Sequence, residues 1–349
     1  RMSQLDIVVF GATGFTGRLC CEHIAKQHGN KISWAVAGRS KSKLESLVAS
    51  LEGGCKGAKP TIIVADSQDE SAIDRMCSQT RVVLATAGPF TVYGTNVVAS
   101  CAKHGTHYCD ITGEAMWVKE MAGQYDAAAK QSKAIIVPFC GYDSAPSDLG
   151  AFFVVSHLKD KLGKKVGKVK CLVGPMEGAA SGGTLQTIVT IISGVITRPV
   201  ETLRSMADPY YLLGPDEERG RDRLTVTALP SIDFRGGATT CLSPLGIANT
   251  QVVRRSAAGL GYGPEFSYDE VMSFGRSVFG PVIAACLSVL WMAVPLMAIP
   301  PFRWLVPKPG TGPSEKQRKN GFWVHRVWAA ESGGGRTVVT GTVSGDQDP

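Results

Sequence analysis

A short apolar run near the start of the chain leads directly into three glycines. Ile7–Phe10 has the length and β-branched content of a buried strand, and Gly11, Gly14 and Gly17 follow at intervals of three residues before a helical pattern begins. Such glycines allow a tight turn, a close approach of the backbone to a diphosphate, and close packing of helix on strand. The residues predicted to bind a dinucleotide are Gly11, Thr13, Gly14, Phe15, Thr16 and Gly17. The alternative is a domain of the same shape that has lost its ligand.

Short β-branched segments then alternate with helix-length segments over residues 1–148. The predicted strands are Ile7–Phe10, Ile32–Ala37, Thr61–Ala65, Arg81–Ala87 and Ala134–Val137. The predicted helices are Gly17–His28, Ser42–Leu51, Glu70–Ser78, Tyr93–His104 and Met116–Ser132. This alternation is typical of the α/β class and predicts a Rossmann-type, doubly wound parallel sheet with crossover helices.

The end of the second predicted strand indicates which dinucleotide is favoured. An NAD-binding enzyme usually has a carboxylate there for the ribose hydroxyls, but this chain has Arg39 and Ser40, followed by Lys43. A guanidinium can pair bidentately with a 2′-phosphate, so NADP is favoured. NAD remains the alternative, as does simple stacking of Arg39 on the adenine. Asp66, after the third strand, is predicted to lie beside the adenine or to cap a helix.

Residues that follow the later strands should face the nicotinamide, because ligands of open α/β sheets bind outside the carboxyl ends of the strands. Gly88, Pro89 and Phe90 are predicted to contact the cofactor, with a plain structural turn as the alternative. The candidates for proton transfer to a substrate are Tyr142, Asp143 and Tyr108. Helix capping and ordinary strand positions are the alternatives for these three residues.

Composition narrows the classes of function. A chain of 349 residues with 44% hydrophobic residues can bury two domains, and its net charge of +7 suits a phosphorylated ligand or an anionic membrane without requiring nucleic acid. The ten cysteines form no C-x-x-C pair, and His104 and His107 lack a further ligand at a diagnostic spacing, so no metal site is predicted. No signal peptide or glycosylation sequon is found, so a non-secreted protein is expected. Because a residue precedes Met2, a mitochondrial transit peptide that has been removed is kept as an alternative.

The sequence pattern changes after residue 148. A second, smaller α+β domain is predicted for residues 149–277, with a strand at Val169–Val173 and strand-like pieces at Leu224–Leu229. Ser181–Thr184 resembles a glycine-rich helix start that could grip a carboxylate or thioester oxygen, and an apolar helix is predicted at Leu185–Ile196. Residues 311–349 are expected to return to this domain as two antiparallel strands, Phe322–Ala330 and Arg336–Val343.

Residues 278–310 form an apolar insertion between these parts. Val278–Phe302 contains 25 residues without a charge, flanked by Arg276 and Arg303. Several prolines, among them Pro281 and Pro295, interrupt it, so a helical hairpin that dips into one leaflet of a membrane or lipid droplet is favoured over a straight span. Burial against a protein partner, including a second copy in a homodimer, is the alternative.

Six motifs together resemble the saccharopine dehydrogenase-like oxidoreductase family. They are Val9–Gly17, Ala37–Arg39, Gly88–Phe90 with Tyr93-Gly94, His107–Glu114, Gly141–Asp148 and Ser181–Thr184. The resemblance spans essentially the whole chain and implies a Rossmann domain, a substrate domain and a nicotinamide cofactor. In some members it also implies attachment to lipid droplets or membranes. Mycobacterial trans-acting enoyl reductases, which act on lipid-linked substrates, look similar too.

Three hypotheses about function follow. The first is an NAD(P)H-dependent oxidoreductase that reduces a lipid-like carbonyl or enoyl substrate at a membrane or lipid-droplet surface. The second is a non-catalytic Rossmann-fold subunit that serves the structure or assembly of a membrane complex. The third is an amino-acid dehydrogenase of the saccharopine type. Binding of a nicotinamide dinucleotide separates the first and third hypotheses from the second.

Overall fold

The computed structural model describes residues 5–51, 57, 59–177, 194, 197–215, 217, 219–220, 222, 230–233, 237–293, 312–334 and 336–346. Within these ranges the chain forms two six-stranded sheets. Each sheet has its own helices and its own hydrophobic core. The predicted α/β class, with a second domain that combines helices and a sheet, is therefore confirmed.

The first sheet is parallel throughout. Its strands are β1 (Leu5–Phe10), β2 (Trp34–Gly38), β3 (Thr61–Val64), β4 (Thr80–Ala85), β5 (His107–Asp110) and β6 (Ile136–Val137). They lie in the order β3-β2-β1-β4-β5-β6. The chain moves outward in opposite directions from β1 and β4, and this switch point opens a crevice at their carboxyl ends.

Helices cover both faces of this sheet. They are α1 (Phe15–Gln27), α2 (Lys41–Leu51), α3 (Glu70–Ser78), α4 (Phe90–Tyr93), α5 (Thr95–His104) and α6 (Ala115–Ser132). Alternate residues of β1 serve opposite layers: Val9 packs in the cluster with α1 and α2, whereas Val8 and Phe10 pack in the cluster with α3, α5 and α6. Burial on both faces explains the continuous apolar runs of the sequence.

The sequence predicted five strands here, and the structure has six. The strand that was missed, β5, reads His107-Tyr-Cys-Asp110 and has none of the β-branched aliphatic residues that mark the others. It forms because β4 and β6 pair with it on either side, so tertiary pairing outweighs its local preference. The predicted run Ala134–Val137 corresponds to the sixth strand, β6.

The second domain contains a mixed sheet. Its elements are α7 (Ala145–Ser156), β7 (Val166–Glu177), α8 (Pro199–Ala207), β8 (Ser231–Asp233), β9 (Ala238–Leu242), α9 (Gly246–Gly259), β10 (Ser267–Ser273), α10 (Gly280–Ala293), α11 (Glu315–Asn320), β11 (Phe322–Glu331) and β12 (Val338–Asp346). The strand order is β12-β11-β7-β10-β9-β8. Only the pairing of β7 with β10 is parallel among these described strands. The two predicted C-terminal strands are confirmed as the antiparallel pair β11 and β12.

Helix α7 ties the two domains together. It follows the last strand of the first sheet, yet its buried side chains pack with β7, β11 and α9 of the second domain. A Cβ on Gly150 would lie 2.8 Å from Val327 Cγ2, which shows how closely the helix approaches β11. The predicted boundary at residue 148 therefore falls inside this helix.

The apolar insertion is described only in its first part. Helix α10 packs on β9 through Ala284 and Ser288, while Val278, Phe279, Val282 and Val289 are more than 60% exposed. Among the residues that the structure describes, no helix is both long and apolar enough to cross a bilayer. Residues 294–311, and with them the predicted second arm of the hairpin, lie outside the described part of the chain. The segments 185–193 and 224–229 lie outside it as well.

Candidate functional site

The turn between β1 and α1 has the geometry that its glycines predict. Gly11 has a φ of +81°, and the N–H groups of Gly11 and Ala12 donate to Ala37 O at 3.0 and 3.2 Å. A Cβ on Gly11 would lie 2.8 Å from Ala87 N, and a Cβ on Gly17 would lie 2.3 Å from Gly11 O. Neither position has room for a side chain, so the cradle exists only with glycine.

The first turn of α1 presents amide groups to this cradle. Gly14 is the N-cap residue, and no side chain caps the helix or places an acid in its first turn. Gly14 N–H donates to Gly11 O at 2.9 Å, and Arg18 N–H donates to Gly14 O at 3.0 Å. The intervening amides of Phe15, Thr16 and Gly17 have no carbonyl of the helix to pair with. Together with the helix dipole they form a site suited to a diphosphate.

Two contacts hold this turn from the sides. Thr86, just after β4, donates from Oγ1 to Phe10 O at 3.1 Å and to Gly11 O at 3.2 Å. Arg318 of α11 places its guanidinium carbon 5.9 Å from the centre of the Phe15 ring, against which Gly312 also packs. The second domain thus reaches the glycine turn, a contact that the sequence did not indicate because the two segments are 300 residues apart.

The end of β2 is basic and open to solvent. Arg39 is exposed, and Lys43 is exposed on the first turn of α2. Ser40 is half-buried, with its Oγ 3.3 Å from Ser42 Oγ. These groups lie beside the cradle because the β1 and β2 strands are neighbours in the sheet. The set fits a 2′-phosphate, which needs accessible cations and hydroxyl donors.

Asp66 does not cap a helix. Its Oδ1 accepts the Gln68 N–H at 3.0 Å in a turn, whereas the N-cap of α3 is Asp69, which accepts the Ala72 N–H at 3.0 Å. The capping alternative is therefore wrong for Asp66. The exposed carboxylate stands at the end of β3, two strands away from β1, on the side predicted for the adenine.

Gly88, Pro89 and Phe90 lie after β4, and the Gly88–Pro89 peptide bond is cis. Pro89 is the N-cap of α4, and Phe90 is buried against Trp117. Glu114 Oε1 accepts the Phe90 N–H at 2.8 Å and Oε2 accepts the Thr91 N–H at 2.9 Å. Glu114 thus caps this short helix with its carboxylate, a structural role that fixes the loop after β4.

Tyr108 lies in the core and not beside the crevice. Its ring is 2% exposed, and its O–H donates to Asp110 Oδ2 at 2.8 Å. Asp110 Oδ1 accepts the N–H groups of Thr112 and Phe139 at 3.0 and 3.1 Å. Burial raises the pKa of Asp110 to about 6 although these donors favour its charged form. The pair joins the ends of β5 and β6, and the structure does not bring Tyr108 together with Tyr142.

Tyr142 and Asp143 lie on the loop after β6, at the carboxyl edge of the first sheet. The Tyr142 ring is 5.1 Å from the ring of Trp323 and 6.0 Å from that of His325, both on β11. Tyr142 is 40% exposed, whereas His325 is 4% exposed. Burial raises the pKa of Tyr142 to about 12 and also raises the pKa of Asp143. We call Tyr142, Trp323 and His325 the junction site, because they join the two domains.

A buried carboxylate stands behind the junction site. Glu270 on β10 accepts hydrogen bonds from Ser147 Oγ (2.7 Å), Ser243 Oγ (3.0 Å), Asn249 Nδ2 (3.0 Å) and Tyr268 Oη (3.2 Å). Asn249 also donates to Asp143 O at 2.7 Å, so this network fixes the backbone of the loop that carries Tyr142. Burial raises the pKa of Glu270 although all four donors favour its charged form. No local sequence pattern indicates this network, because its members come from α7, α9, β10 and the turn after β9.

The remaining candidates take other roles or lie outside the described residues. His104 Nε2 is 2.8 Å from Asp74 Oδ1, and His107 Nδ1 accepts the Ile135 N–H at 3.0 Å. The described residues contain no group of three or more His, Cys, Asp or Glu side chains able to hold a metal ion. Ser181–Thr184 lies outside the described part of the chain.

The fold and the glycine turn define a two-domain dinucleotide-binding protein of the Rossmann class. Residues 7–137 match the family model of the saccharopine dehydrogenase NADP-binding domain. Trans-acting enoyl reductases of Mycobacterium tuberculosis and Mycobacterium leprae are each 33% identical to this chain, over 360 and 357 residues respectively. Both alignments cover 97% of this chain and 84% of the relative. The solved structure of apo saccharopine dehydrogenase (L-Glu forming) from Saccharomyces cerevisiae matches with a TM-score of 0.51 and 12% identity, over 98% of this chain and 85% of that one.

The chain therefore belongs to the saccharopine dehydrogenase-like oxidoreductase family, and its first domain is an NADP-binding domain. The predicted resemblance and the oxidoreductase class are confirmed, and the family match supports the binding of NADP. The preference for NADP over NAD stays a prediction. The match to the yeast enzyme shows the shared fold alone.

Proposed function

We propose that this protein is an NADPH-dependent reductase of a lipid-like substrate that carries an enoyl or carbonyl group. The observation that carries the proposal is the glycine cradle, in which uncapped helix amides adjoin the exposed cations at the end of β2. When bound, NADPH supplies a hydride from its nicotinamide. The name of the mycobacterial relatives supports an enoyl substrate over a saccharopine-type amino acid.

The residues of this chain would divide the work as follows. The amides of Phe15, Thr16 and Gly17 hold the diphosphate, and Arg39 with Ser40 holds the 2′-phosphate. The loop at Gly88 and Pro89, fixed by Glu114, borders the nicotinamide end. The junction site lies at the same carboxyl edge, where a substrate would meet the cofactor. Its aromatic rings and the neighbouring polar loop suit an apolar chain with one polar group.

Two measurements test this function. NADPH fluorescence titration should show saturable binding, weaker for NADH, and NADPH oxidation should follow addition of crotonyl-N-acetylcysteamine, a short enoyl thioester. Failure to bind either dinucleotide would leave a non-catalytic structural subunit as the better description. Turnover of saccharopine with NADP, without reduction of the thioester, would instead favour an amino-acid dehydrogenase.

The exposed side of α10 supports contact with a lipid surface. Val278, Phe279, Val282 and Val289 are exposed apolar side chains in a segment that carries no charge up to Phe302. Flanking arginines and a net charge of +7 favour an anionic surface. Such a surface would bring lipid-linked substrates to the protein.

Flotation with vesicles of phosphatidylcholine and phosphatidylserine tests this contact. The protein should float with the vesicles, and Val282→Asp should weaken this association. Val200→Asp, at an even more exposed apolar position on α8, should leave it unchanged. A protein that stays at the bottom of the gradient would contradict the lipid contact and direct attention to a protein partner.

A further inference from the structure

His325 is a buried imidazole that the dinucleotide site does not use. It lies on β11 with its Nδ1 3.9 Å from Cys171 Sγ on β7 and its Nε2 3.5 Å from Tyr142 Oη. Its ring also meets the Trp323 ring edge-on at 5.3 Å. Because His325 is 4% exposed and Tyr142 is 40% exposed, the imidazole stands behind a phenol that solvent and substrate can reach.

The surroundings of the imidazole decide which nitrogen carries its hydrogen. Burial lowers the pKa of His325 to about 4, so the ring is neutral at pH 7 and bears one N–H. Cys171 is fully buried and its pKa is raised well above the usual value, mainly by burial, so it remains a thiol. The thiol is a weak donor and a weak acceptor, and its S–H can donate to Nδ1. In that orientation Nδ1 is bare and the hydrogen is on Nε2, which faces Tyr142 Oη.

We infer that His325 is a positioning residue whose Nε2–H donates to Tyr142 Oη, so that the Tyr142 O–H points away from the protein and serves as the proton donor to the substrate. The inference rests on the proposed reductase function and names the acid of that reaction. The donors run in one direction, from Cys171 through His325 to Tyr142. A phenol whose oxygen already accepts one hydrogen bond has its hydrogen free for a substrate.

A comparison with two buried tyrosines shows why Tyr142 suits the role of proton donor. Tyr108 and Tyr268 are 2% and 1% exposed, and their O–H groups are bound to Asp110 and Glu270. Burial, with smaller contributions from Asp143 and Glu270, raises the pKa of Tyr142 to about 12, so this phenol keeps its proton at neutral pH. The Tyr142 O–H therefore transfers its proton only when negative charge develops on a substrate.

The chemical step balances with NADPH as the reductant. Bound NADPH would supply a hydride to the β-carbon of the enoyl group and leave as NADP⁺, and the π electrons of the enoyl group would move to the α-carbon and its carbonyl. The Tyr142 O–H bond then breaks and its proton joins the α-carbon, which leaves a saturated product and a tyrosinate. His325 N–H stabilises that tyrosinate by a charge-assisted hydrogen bond, and solvent water returns the proton to Tyr142.

The tautomer is tested without any turnover. Nitrogen NMR of the protein labelled at histidine, with the His325 signals assigned by His325→Gln, should show a neutral ring with hydrogen on Nε2 at pH 7. Cys171→Ala removes the thiol donor and should lower the population of that tautomer. A hydrogen on Nδ1, or an imidazolium at pH 7, would overturn the inference even if the protein proves to be an active reductase.

The role of the pair is tested with the enoyl thioester under single turnover. Tyr142→Phe should slow reduction by about 100-fold or more while the Kd for NADPH stays within about twofold of wild type. His325→Leu should slow it by about tenfold, because the tyrosinate loses its donor. His325→Gln offers an N–H at a similar place and should restore most of the rate.

Equal rates for His325→Gln and His325→Leu would show that the imidazole only fills space. Thermal denaturation of each variant identifies loss of fold. Absence of NADPH oxidation by the wild-type protein would refute the proposed enoyl substrate, and the NMR result would still decide the tautomer of His325.

Discussion

Replacing Gly17 by alanine tests the glycine cradle most directly. The added Cβ would lie 2.3 Å from Gly11 O, 2.7 Å from Thr86 Oγ1 and 2.9 Å from Ala12 Cα. An ordinary contact begins at 3.4 Å, so the carbonyl or the helix must move by roughly 1 Å in a closely packed region. Gly11 O cannot move alone, because it accepts hydrogen bonds from Gly14 N–H and Thr86 Oγ1.

The expected magnitude follows from these contacts. Overpacking of this kind costs about 1–3 kcal/mol, and the higher helix propensity of alanine offsets up to ~1 kcal/mol of it. We expect a net loss of about 1–2 kcal/mol in the free energy of unfolding. Displaced amides would also lose hydrogen bonds to the diphosphate, each worth ~1.5–3 kcal/mol, so the Kd for NADPH should rise at least about tenfold.

Gly123→Ala is the matched control. Gly123 lies within α6, and apart from its chain neighbours and the backbone of the helix itself no atom lies within 4 Å of the Cβ that alanine would add. This variant should gain about 0.5–1 kcal/mol in stability from helix propensity and bind NADPH like wild type. Urea denaturation and NADPH fluorescence titration measure both effects. If Gly17→Ala bound NADPH with wild-type affinity and unfolded at the same urea concentration, the cradle would not be the dinucleotide site.

Three further predictions concern the groups around this site. Arg39→Ala should weaken NADPH binding by about tenfold or more and leave NADH binding nearly unchanged, since a charge-assisted hydrogen bond to a phosphate is worth ~1.5–3 kcal/mol. Equal losses of affinity for both dinucleotides, measured by fluorescence titration, would contradict a 2′-phosphate contact. Glu114→Gln should cost about 1–3 kcal/mol in urea denaturation because the new amide NH₂ faces a backbone N–H, whereas Glu120→Gln, at an exposed ion pair, should cost less than ~1 kcal/mol. Asp148 has a pKa raised to about 6 by burial, and its Oδ1 has no partner. The stability that protonated Asp148 provides is present below pH 3.8 and is lost as pH rises through about 6. Asp148→Asn should therefore raise the free energy of unfolding by ~2–3 kcal/mol at pH 7.5. It should also flatten the dependence of stability on pH between pH 3.8 and about 6. An unchanged pH dependence in urea denaturation would show that Asp148 is not the group responsible.

The sequence by itself determined the first domain and its glycine turn. A strand that runs into Gly11, Gly14 and Gly17 can only make a turn that lacks side chains, and the alternation of apolar segments required a parallel sheet around it. Arg39 in place of an acid predicts a 2′-phosphate contact, because specificity at that position depends on one local side chain. These features are encoded by residues that are close together in the chain.

Tertiary structure alone decided the junction site. Tyr142, Cys171 and His325 are separated by up to 183 residues and meet because α7 carries the chain from the first sheet onto the second. Strand β5 likewise depends on its pairing with β4 and β6. The roles of the Glu114 and Glu270 carboxylates depend on hydrogen-bond donors from other elements. Local patterns report which face of an element is apolar, but a buried polar group takes its role from the donors that surround it, and only the folded chain brings those together.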